Sequence, residues 1–464
     1  MPRNRRIARE PAEPTAATPP PSFAWSPSPF GDGEAGGVIT SKAFSGKSFA
    51  VLGLARSGLA TVDALLASGA SVMAWDSRED VREQVRASHP NVRIADPLVT
   101  SLYGYSGIVV SPGVPLNRHP IAARGREAKV PVIGDVELFA QARAELPPHK
   151  VVGITGTNGK STVTALLHHI VESAGIPTLM GGNIGLPILS QQPLPQGGIY
   201  VLELSSYQID LTQSLDCDVA VLLNISPDHL DRYDGMDDYA ASKARLFAIQ
   251  SAQNAAVIAV EDDYTRAIAG QIEGRKILVS AAQVKDQSRW PSLQGPHNAQ
   301  NVAAAVAVAR ELGIADAVVA RALESYPGLP HRMERVAEKA GVLFVNDSKA
   351  TNPTSTAPAL AAYPAVRWIL GGLPKGDDLS PCEPHFGHVR AAYTIGEAGP
   401  MFADLLRPKL PVTECGELGA AVSAAARDAK AGEVVLLSPA CASFDQFKDY
   451  EARGAAFRAA VEAL

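Results

Sequence analysis

Cysteines are scarce in this sequence, and their placement excludes two kinds of site. The 464 residues contain only four, namely Cys217, Cys382, Cys415 and Cys441. They are widely separated and form no CxxC pair, so we expect neither a disulfide framework nor a zinc site. Because this usage is typical of a reducing compartment, we expect a cytoplasmic protein.

Long apolar runs and an excess of positive charge are also missing. No run approaches the roughly 18 apolar residues that a membrane-spanning helix needs, and residues 1–40 lack the apolar stretch of a secretory signal. The formal net charge is −6, so an anionic ligand must be held by local dipoles and a few basic side chains. We therefore expect no membrane insertion and no nucleic-acid partner.

The apolar content is sufficient for several hydrophobic cores. Hydrophobic residues make up 46% of the chain and charged residues 19%, and a size of roughly 150 residues per domain predicts three domains. The first 44 residues are rich in Pro, Ala and Ser after a few arginines, a composition that cannot bury enough surface to fold. We predict a disordered tail over 1–44, rather than a functional basic arm, and domains over 45–146, 147–328 and 329–464.

Strand and helix patterns alternate in each predicted domain. The first domain begins with a βαβ unit, which predicts a parallel sheet. The unit consists of an apolar run at 49–52, a tight turn, a helical pattern to residue 67 and a second apolar run at 72–75. Further strand-like runs occur at 107–110, 130–133, 151–154, 199–204, 219–225, 256–260, 277–280, 342–345, 367–370, 391–395 and 434–437. Three successive α/β units are expected.

A glycine-rich segment lies between a predicted strand and a predicted helix at 153–162 and reads GITGTNGKST. Its glycines allow successive backbone N–H groups to surround a phosphate at the positive end of the helix, while Lys160 supplies a charge and Ser161 a hydroxyl for Mg²⁺. The pattern predicts a nucleoside triphosphate site but does not say which reaction the triphosphate drives. A glycine turn with a solvent-facing lysine is the weaker alternative.

The turn at 53–58 in the first domain reads GLARSG and resembles a dinucleotide-binding turn. Ala55 stands where such a turn needs a glycine for the backbone to approach a pyrophosphate, which weakens an NAD or FAD interpretation. Asp76 ends the next predicted strand, where it can accept hydrogen bonds from a ribose. A nucleotide-type ligand of another kind is therefore expected here.

Nine short motifs between residues 46 and 464 follow a known order. They are TNGKST at 157–162, GGNIG at 181–185, ELSSYQ at 203–208, NISPDHLDRY at 224–233, Lys243, HNAQN at 297–301, HRME at 331–334, NDSKATN at 346–352 and LSPACASFDQF at 437–447. In order and spelling the chain resembles the Mur ligase family, most of all its D-glutamate-adding branch. The resemblance implies an α/β protein of three domains: a Rossmann-like N-terminal domain for a UDP-sugar, a central P-loop ATPase domain, and a Rossmann-like C-terminal domain for the amino acid.

The resemblance also implies a two-step reaction in peptidoglycan precursor synthesis. ATP phosphorylates the carboxylate of UDP-N-acetylmuramoyl-L-alanine, and the amine of D-glutamate then attacks the acyl phosphate to give an amide, ADP and phosphate. We expect these small molecules to be its only partners, and we expect the protein to be a monomer. Relatives that add L-alanine, a diamino acid or the glutamate tail of folate stay open, although the tracts at 346–352 and 437–447 favour D-glutamate. A nucleotide-sensing binding protein and an oxidoreductase are alternatives from other classes.

Residues for ATP and two magnesium ions follow from the same resemblance. The expected ATP residues are Gly156, Thr157, Asn158, Gly159, Lys160, Ser161, Thr162, Asn298, Asn301, Arg332 and Asp347, and the expected magnesium ligands are Ser161, Glu203, His229 and Lys243. A carboxylate and a γ-phosphate repel as they meet, so the reaction needs concentrated positive charge. Glu203 is polar at the end of an apolar strand, a position that suits a ligand of Mg²⁺. Lys160, Glu203, His229 and Lys243 are the expected catalytic residues.

Two of these residues would be assigned other roles without the resemblance. His229 is an unusual magnesium ligand on grounds of softness, and an isolated histidine would be interpreted as structural. Lys243 lies in a helical pattern and would be interpreted as a surface charge, whereas the family position carries a lysine carbamylated by CO₂. Only the neutral amine reacts, and with a pKa of about 10.4 on the order of one lysine in a thousand is neutral at pH 7. Burial or nearby cations must therefore lower this pKa.

The resemblance also assigns the two substrates that are joined. The expected UDP-sugar residues are Arg56, Ser57, Asp76, Ser77, Arg78, Ser111, Gly113 and Asn183. The expected D-glutamate residues are Thr351, Lys375, Ser443, Phe444 and Tyr450. The sequence departs from the commonest family spelling at Ala55, Arg56 and Ser77, and it has Phe444 and Tyr450 where relatives often have Leu and Phe. The first three departures change individual UDP contacts, and the last two add a ring and a hydroxyl to the expected D-glutamate pocket.

Overall fold

The structure, a computed structural model, describes residues 37–228 and 232–464. Most of the predicted tail and His229 lie outside the described residues. Within the described part the strands form three sheets, one for each predicted domain. No helix of this part is long and apolar enough to cross a membrane.

The first sheet is parallel, as the βαβ pattern predicts. Its strands are β1 Ser48–Leu52, β2 Ser71–Trp75, β3 Arg93–Ile94, β4 Gly107–Val110 and β5 Val132–Ile133, and its helices are α1 Arg56–Ala67, α2 Glu79–Ser88, α3 Ile121–Ala128 and α4 Asp135–Ala142. The strand order is β3-β2-β1-β4-β5. The connections after β1, β2 and β4 therefore gather at the carboxyl edge of the sheet, where open α/β sheets bind ligands.

Residues 37–44 correct the predicted extent of the tail. Ile39 and Phe44 are fully buried, and the Phe44 ring meets the Phe49 ring edge-on at 5.8 Å. The Ile39 N–H donates to the Leu189 carbonyl of the second domain at 3.0 Å. Two buried apolar side chains and hydrogen bonds from the Lys42 and Ala43 N–H groups to Glu145 anchor this short segment, which composition alone assigned to the tail.

The central sheet is also parallel and has six strands. They are β6 Lys150–Thr155, β7 Thr178–Gly182, β8 Ile199–Glu203, β9 Val219–Leu222, β10 Ala255–Ala259 and β11 Lys276–Val279, and the helices are α5 Lys160–Ser173, α6 Ser206–Asp210, α7 Met236–Ala248, α8 Asp263–Gln271, α9 Pro296–Glu311 and α10 Asp316–Ser325. The order is β11-β10-β9-β6-β8-β7. Because β6 lies between β8 and β9, the glycine-rich segment after β6 is flanked by Glu203 and by residues 223–228.

The third sheet is mixed. Its strands are β12 Glu334–Lys339, β13 Val342–Asn346, β14 Val366–Gly371, β15 Val389–Ile395, β16 Val412–Gly416 and β17 Val434–Leu437, and its helices are α11 Pro353–Ala361, α12 Gly399–Leu406, α13 Leu418–Asp428 and α14 Tyr450–Glu462. The order is β12-β13-β17-β14-β15-β16, with β12 antiparallel to β13 at one edge. Short 3₁₀ helices occur at Lys42–Phe44, Arg143–Glu145, Ile188–Ser190, Ala281–Gln283 and Ser380–His388.

Candidate active site

The phosphate-binding loop is held by the segment that follows β9. The backbone N–H of Thr157 donates to the Asn224 carbonyl at 2.8 Å, and that of Asn158 donates to the Asn224 side-chain oxygen at 2.8 Å. Gly159 has φ +84°, and a Cβ there would lie 2.3 Å from the Asn301 side-chain oxygen. The positive φ favours glycine at this point, and a larger residue would also displace the Asn301 side chain.

Lys160 begins α5 and turns back over the loop. Its Nζ donates to the carbonyls of Gly156 at 2.9 Å and Thr157 at 2.7 Å. Burial lowers the pKa of Lys160, and the neighbouring Glu203 carboxylate opposes that shift. A phosphate oxygen in the loop would be a stronger acceptor for this ammonium than either carbonyl.

Glu203 ends β8 as a buried carboxylate that is only partly satisfied. Its side chain is 2% exposed, and Oε1 accepts a 2.8 Å hydrogen bond from Asn183. Oε2 is buried and has no hydrogen-bond partner. Burial alone would raise the pKa of Glu203, but the Lys160 charge and the hydrogen bond from Asn183 lower it. An ionised carboxylate with one free oxygen beside a phosphate loop fits Mg²⁺.

The third domain reaches the loop through Arg332. Its Nη2 donates to the Ser161 hydroxyl at 2.8 Å, whereas its Nε is buried without a partner. Arg332 follows the connection from the central domain, and Ser161 is in the first turn of α5. The geometry therefore brings together two predicted ATP residues that are 171 positions apart.

Lys243 extends from α7 toward the same loop and is only 1% exposed. Its Nζ donates to the Gly156 carbonyl at 2.9 Å and lies 4.5 Å from the centre of the Tyr239 ring. Burial and the nearby Lys160 charge hold the pKa of Lys243 well below its usual range, although Asp228 and Asp210 act in the opposite direction. The sequence-based requirement for a buried amine near a cation is met. Among the described residues no three His, Cys, Asp or Glu side chains converge on one point.

A cleft between the central and third domains contains most of the other predicted ATP residues. It is lined by Asn158, Gly159, Thr162, Asn298, Asn301, Arg332 and Asp347, together with residues that sequence reasoning did not single out, including His297, Gln300, Tyr326 and Lys349. Asn301 and Asn298 share one face of α9, and the Asn301 amide donates to the Asn298 oxygen at 3.0 Å. These two predicted ATP residues therefore lie one helical turn apart.

Three polar atoms in this cleft are buried without a hydrogen-bond partner. They are His297 Nδ1, the Tyr326 hydroxyl and Arg332 Nε. Burial lowers the pKa of His297 to about 4, so its imidazole is neutral at pH 7. Buried polar atoms are normally paired, so three unpaired ones in one cleft fit a polar ligand such as a nucleotide.

Asp347 and Lys349 approach the cleft from the end of β13. Burial raises the pKa of Asp347 to about 7, and its Oδ2 accepts a 2.8 Å hydrogen bond from Ser438. Lys349 Nζ lies 4.8 Å from the Tyr450 ring centre, and burial together with the Arg332 charge lowers its pKa to about 8. Sequence reasoning missed Lys349, although its place between Asp347 and Thr351 in one motif was an available signal.

The predicted D-glutamate residues lie on loops at the carboxyl edge of the third sheet. Lys375 Nζ is 3.5 Å from the Thr351 hydroxyl. Ser443 is buried, whereas the Phe444 side chain is 69% exposed, and Tyr450 begins α14. These loops are joined by Arg453, which sequence reasoning missed.

Arg453 is buried and connects two of the D-glutamate loops through its guanidinium group. Nη2 donates to the carbonyls of Ser348 at 2.9 Å and Cys441 at 3.0 Å. Nη1 donates to the Ala442 carbonyl at 3.0 Å. It therefore fixes the loop that contains Thr351 against the loop that contains Ser443.

The predicted UDP-sugar residues divide into two groups. Arg56, Ser57, Asp76, Ser77, Arg78, Ser111 and Gly113 are in or next to the connections after β1, β2 and β4. Asp76 organises this edge, because its Oδ2 accepts from the Leu54 N–H at 2.8 Å and its Oδ1 from the Arg78 N–H at 3.0 Å. Asn183 lies instead in the central domain, where it contacts Glu203.

Comparison with known proteins agrees with this arrangement. Three family models match in chain order: "Mur ligase MurD-like, N-terminal domain" over residues 47–134, "Mur ligase middle domain" over 154–292 and "Mur ligase, glutamate ligase domain" over 331–441. A UDP-N-acetylmuramoylalanine–D-glutamate ligase of Novosphingobium aromaticivorans is 64% identical over 432 residues, which cover 92% of this chain and 97% of that protein. The chain belongs to the Mur ligase family.

Other Mur ligases extend this similarity. The UDP-N-acetylmuramoylalanine–D-glutamate ligase of Zymomonas mobilis is 58% identical over 440 residues, covering 92% of this chain and all of that protein. Among solved structures, the UDP-N-acetylmuramate–alanine ligase MurC of Thermotoga maritima superposes with a TM-score of 0.54 at 16% identity and covers 90% of this chain and 99% of its own. MurF from Acinetobacter baumannii gives 0.55 at 19%, with 84% and 91% covered. At these identities the structures support the fold, and the three-domain α/β prediction is confirmed.

Proposed function

We propose that this chain is an ATP-dependent amide ligase that adds D-glutamate to UDP-N-acetylmuramoyl-L-alanine, with release of ADP and phosphate, in peptidoglycan precursor synthesis. The names of the relatives at 58–64% identity support the substrates. The observation that carries the chemistry is the partly unpaired Glu203 carboxylate beside Lys160 and Ser161, with Arg332 of the third domain on the same loop. The combination suits phosphoryl transfer to a carboxylate.

ATP is proposed to lie with its phosphates on residues 156–162 and its base in the cleft lined by Asn298 and Asn301. Asp347 and the unpaired atoms of His297 and Tyr326 are available to its polar groups. Ser161, Glu203, His229 and Lys243 would hold two magnesium ions, which supply neutralising charge to the phosphates. Lys243 would serve as its carbamate, since a buried amine with a lowered pKa can react with CO₂.

In the first step a carboxylate oxygen of the UDP-sugar attacks the γ-phosphorus, and the bond to ADP breaks. Lys160 and Arg332 provide the positive charge from this chain that offsets repulsion between the two anions. Closure of the domains around the substrates would exclude water, which would otherwise hydrolyse the acyl phosphate. In the second step the amine of D-glutamate attacks the acyl carbon, and phosphate leaves with the oxygen that came from the carboxylate.

Recognition of D-glutamate is assigned to the third domain. Lys375 and the Thr351 hydroxyl, which lie within 3.5 Å of each other, would bind one carboxylate. Ser443 and backbone N–H groups near it would bind the other, with Phe444 and Tyr450 beside them. A cation at one carboxylate and neutral donors at the other leave the amine aimed at the acyl phosphate, which fixes the chirality.

The UDP-sugar is assigned to the carboxyl edge of the first sheet. Asp76 organises the turn there, and Arg56, Ser57, Ser77, Arg78, Ser111 and Gly113 complete the proposed set. Asn183 would receive the end of the substrate that carries the reacting carboxylate, because it already contacts Glu203. We propose a cytoplasmic monomer with only small-molecule substrates.

A phosphate-release assay that crosses UDP-muramoyl precursors with a panel of amino acids tests this function. Phosphate should be released only with ATP, UDP-N-acetylmuramoyl-L-alanine and D-glutamate together, and L-glutamate should be a poor substitute. Release with UDP-N-acetylmuramate and L-alanine, or with a diamino acid and a longer precursor, would assign the chain to another branch of the family. Absence of release with every combination would reject a ligase.

A further inference from the structure

A buried carboxylate connects the first domain to the central domain. Glu137 lies in α4 and is 2% exposed. Its Oε2 accepts the backbone N–H groups of Gln213 at 2.7 Å and Ser214 at 2.9 Å, and its Oε1 accepts the Ser214 hydroxyl at 2.7 Å. The remaining contact is with Gln141 of the same helix at 3.0 Å.

The central-domain loop at 211–214 is also held by apolar packing. Leu211 is buried in the same cluster as Leu52 and Ile108 of the first sheet. Its carbonyl accepts the Gly134 N–H at 3.0 Å, and a Cβ on Gly134 would approach Leu211 Cβ to 3.1 Å. The start of α4 therefore packs closely against this loop.

The same loop is continuous with groups at the reaction centre. It follows α6, which begins three residues after Glu203. Asp210, the last residue of α6, accepts a 2.7 Å hydrogen bond from Ser242, the neighbour of Lys243 on α7. A shift of this loop would thus move α6 and α7 relative to the first domain.

We infer that Glu137 is a positioning residue that sets the distance between the UDP-sugar and the γ-phosphate. The inference rests on the proposed function, since the sugar belongs to the first domain and the phosphate to the central one. The acyl-phosphate step requires the carboxylate oxygen and the γ-phosphorus to be held about 3–3.5 Å apart. Two backbone N–H groups of the loop depend on this one carboxylate as their acceptor.

Glu137→Met removes that acceptor while retaining side-chain length and helix propensity. We expect kcat for ADP formation to fall by roughly 10- to 100-fold, because a displacement of about 1 Å can cost that much. Calorimetric affinities for the UDP-sugar alone and for an ATP analogue alone should stay within about 3-fold of the parent, since each ligand is assigned mainly to one side of the contact. Glu137→Gln keeps an acceptor oxygen and should restore most of kcat.

Two further variants separate positioning from folding. Gln141→Ala removes the contact within α4 and leaves the loop untouched, so it should behave as the parent. Gly134→Ala displaces Leu211 without changing Glu137 and should also lower kcat. This variant replaces Glu137→Met in the test if Glu137→Met fails to fold. Parental kcat in Glu137→Met, or a loss of binary UDP-sugar affinity equal to the loss of kcat, would overturn the inference.

A distance measurement keeps the inference separate from the proposed function. Spin labels attached to Lys47→Cys and Glu273→Cys report the distance between the first and central domains. Cys415→Ser removes the one partly exposed native cysteine among the described residues. The parent should give one narrow distance, and Glu137→Met a shifted or broadened one. Unchanged distances would reject the positioning role, whereas an inactive parent with the expected distances would reject only the proposed reaction.

Discussion

Three lysines enter the candidate site from three different elements, and burial shifts the pKa of each in the same direction. Lys160 begins α5, Lys243 lies in α7 and Lys349 follows β13. Desolvation lowers the pKa of all three, and a neighbouring positive charge adds to the shift in each of them. Such a cluster of cations is costly without anions, so phosphate binding and conversion of one amine to a carbamate would both relieve it.

Lys243 provides the first prediction at this scale. Intact protein kept near neutral pH should show a mass increase of about 44 Da from one added CO₂, localised to Lys243. Lys243→Ala should lose the added mass and most ligase activity, because an anion that helps to hold magnesium is gone. Lys285→Ala, at an exposed position, should retain both. A fully active, magnesium-loaded enzyme with an unmodified Lys243 would contradict the prediction.

Asp135 provides a pH-dependent prediction. It is buried at the start of α4, and burial raises its pKa to about 6 from 3.8. The unfolded state therefore loses this proton near pH 4 and the folded state near pH 6, so the contribution of this group to stability falls as pH rises through that window. Asp135→Asn should gain stability relative to the parent between pH 5 and pH 8, by about 1 kcal/mol.

Thermal unfolding of both proteins at the two pH values measures this difference. Asp263→Asn, which alters an almost fully exposed carboxylate, serves as the control and should show no such trend. A stability difference between Asp135→Asn and the parent that is equal at pH 5 and pH 8 would show that the Asp135 carboxyl titrates normally.

At the scale of elements, central strands were predicted better than edge strands. The runs at 151–154 and 434–437 are apolar because β6 and β17 are buried on both faces. Strand β12, with the sequence ERVAEK, has no apolar run and is defined by its antiparallel pairing with β13. Strand β12 therefore forms because β13 pairs with it, and no local pattern in the sequence indicates this strand.

The candidate site divides in a similar way between motif residues and lone charged residues. The phosphate loop and Glu203 were predictable, because they belong to motifs formed by residues that are adjacent in the sequence. Arg453 and Glu137 were not, since a single charged residue in a helix usually lies on the surface. Only long-range contacts, to Ser348 and to Ser214, reveal that these two are buried connectors.

The segment before β1 provides a prediction at this scale. Phe44 is fully buried against Phe49, so Phe44→Ala should destabilise the first domain by about 3–5 kcal/mol through a cavity. Urea unfolding measured with the UDP-sugar absent should report the loss. Lys47→Ala, at a nearby exposed position, should have little effect. Unchanged stability in Phe44→Ala would show that residues 37–44 are not anchored to the domain.

At the scale of the whole molecule, the site exists only where the three domains meet. Arg332 brings the third domain to Ser161, and Arg232 of the central domain donates to the Pro112 and Gly113 carbonyls of the first at 3.2 Å. Each substrate is assigned mainly to one domain, so binding and chemistry can be separated. Catalysis is then expected to depend on closure of the domains around all three substrates.

Lys160→Ala tests this separation. ADP formation should be abolished, because the central domain loses the charge that offsets the phosphates, while calorimetric affinity for the UDP-sugar should be unchanged. Lys285→Ala is a matched control in the same domain and should retain both properties. If a folded Lys160→Ala protein lost its UDP-sugar affinity, the assignment of substrates to separate domains would be wrong.

Oxygen transfer from substrate to phosphate is the most direct test of the proposed reaction. UDP-N-acetylmuramoyl-L-alanine labelled with oxygen-18 in its terminal carboxylate is incubated with ATP and D-glutamate, and the released phosphate is analysed by mass spectrometry. If the carboxylate attacks the γ-phosphorus, each phosphate formed along with the amide carries one labelled oxygen. Unlabelled phosphate formed along with the amide, with the lost oxygen-18 found in another product, would contradict an acyl-phosphate ligase.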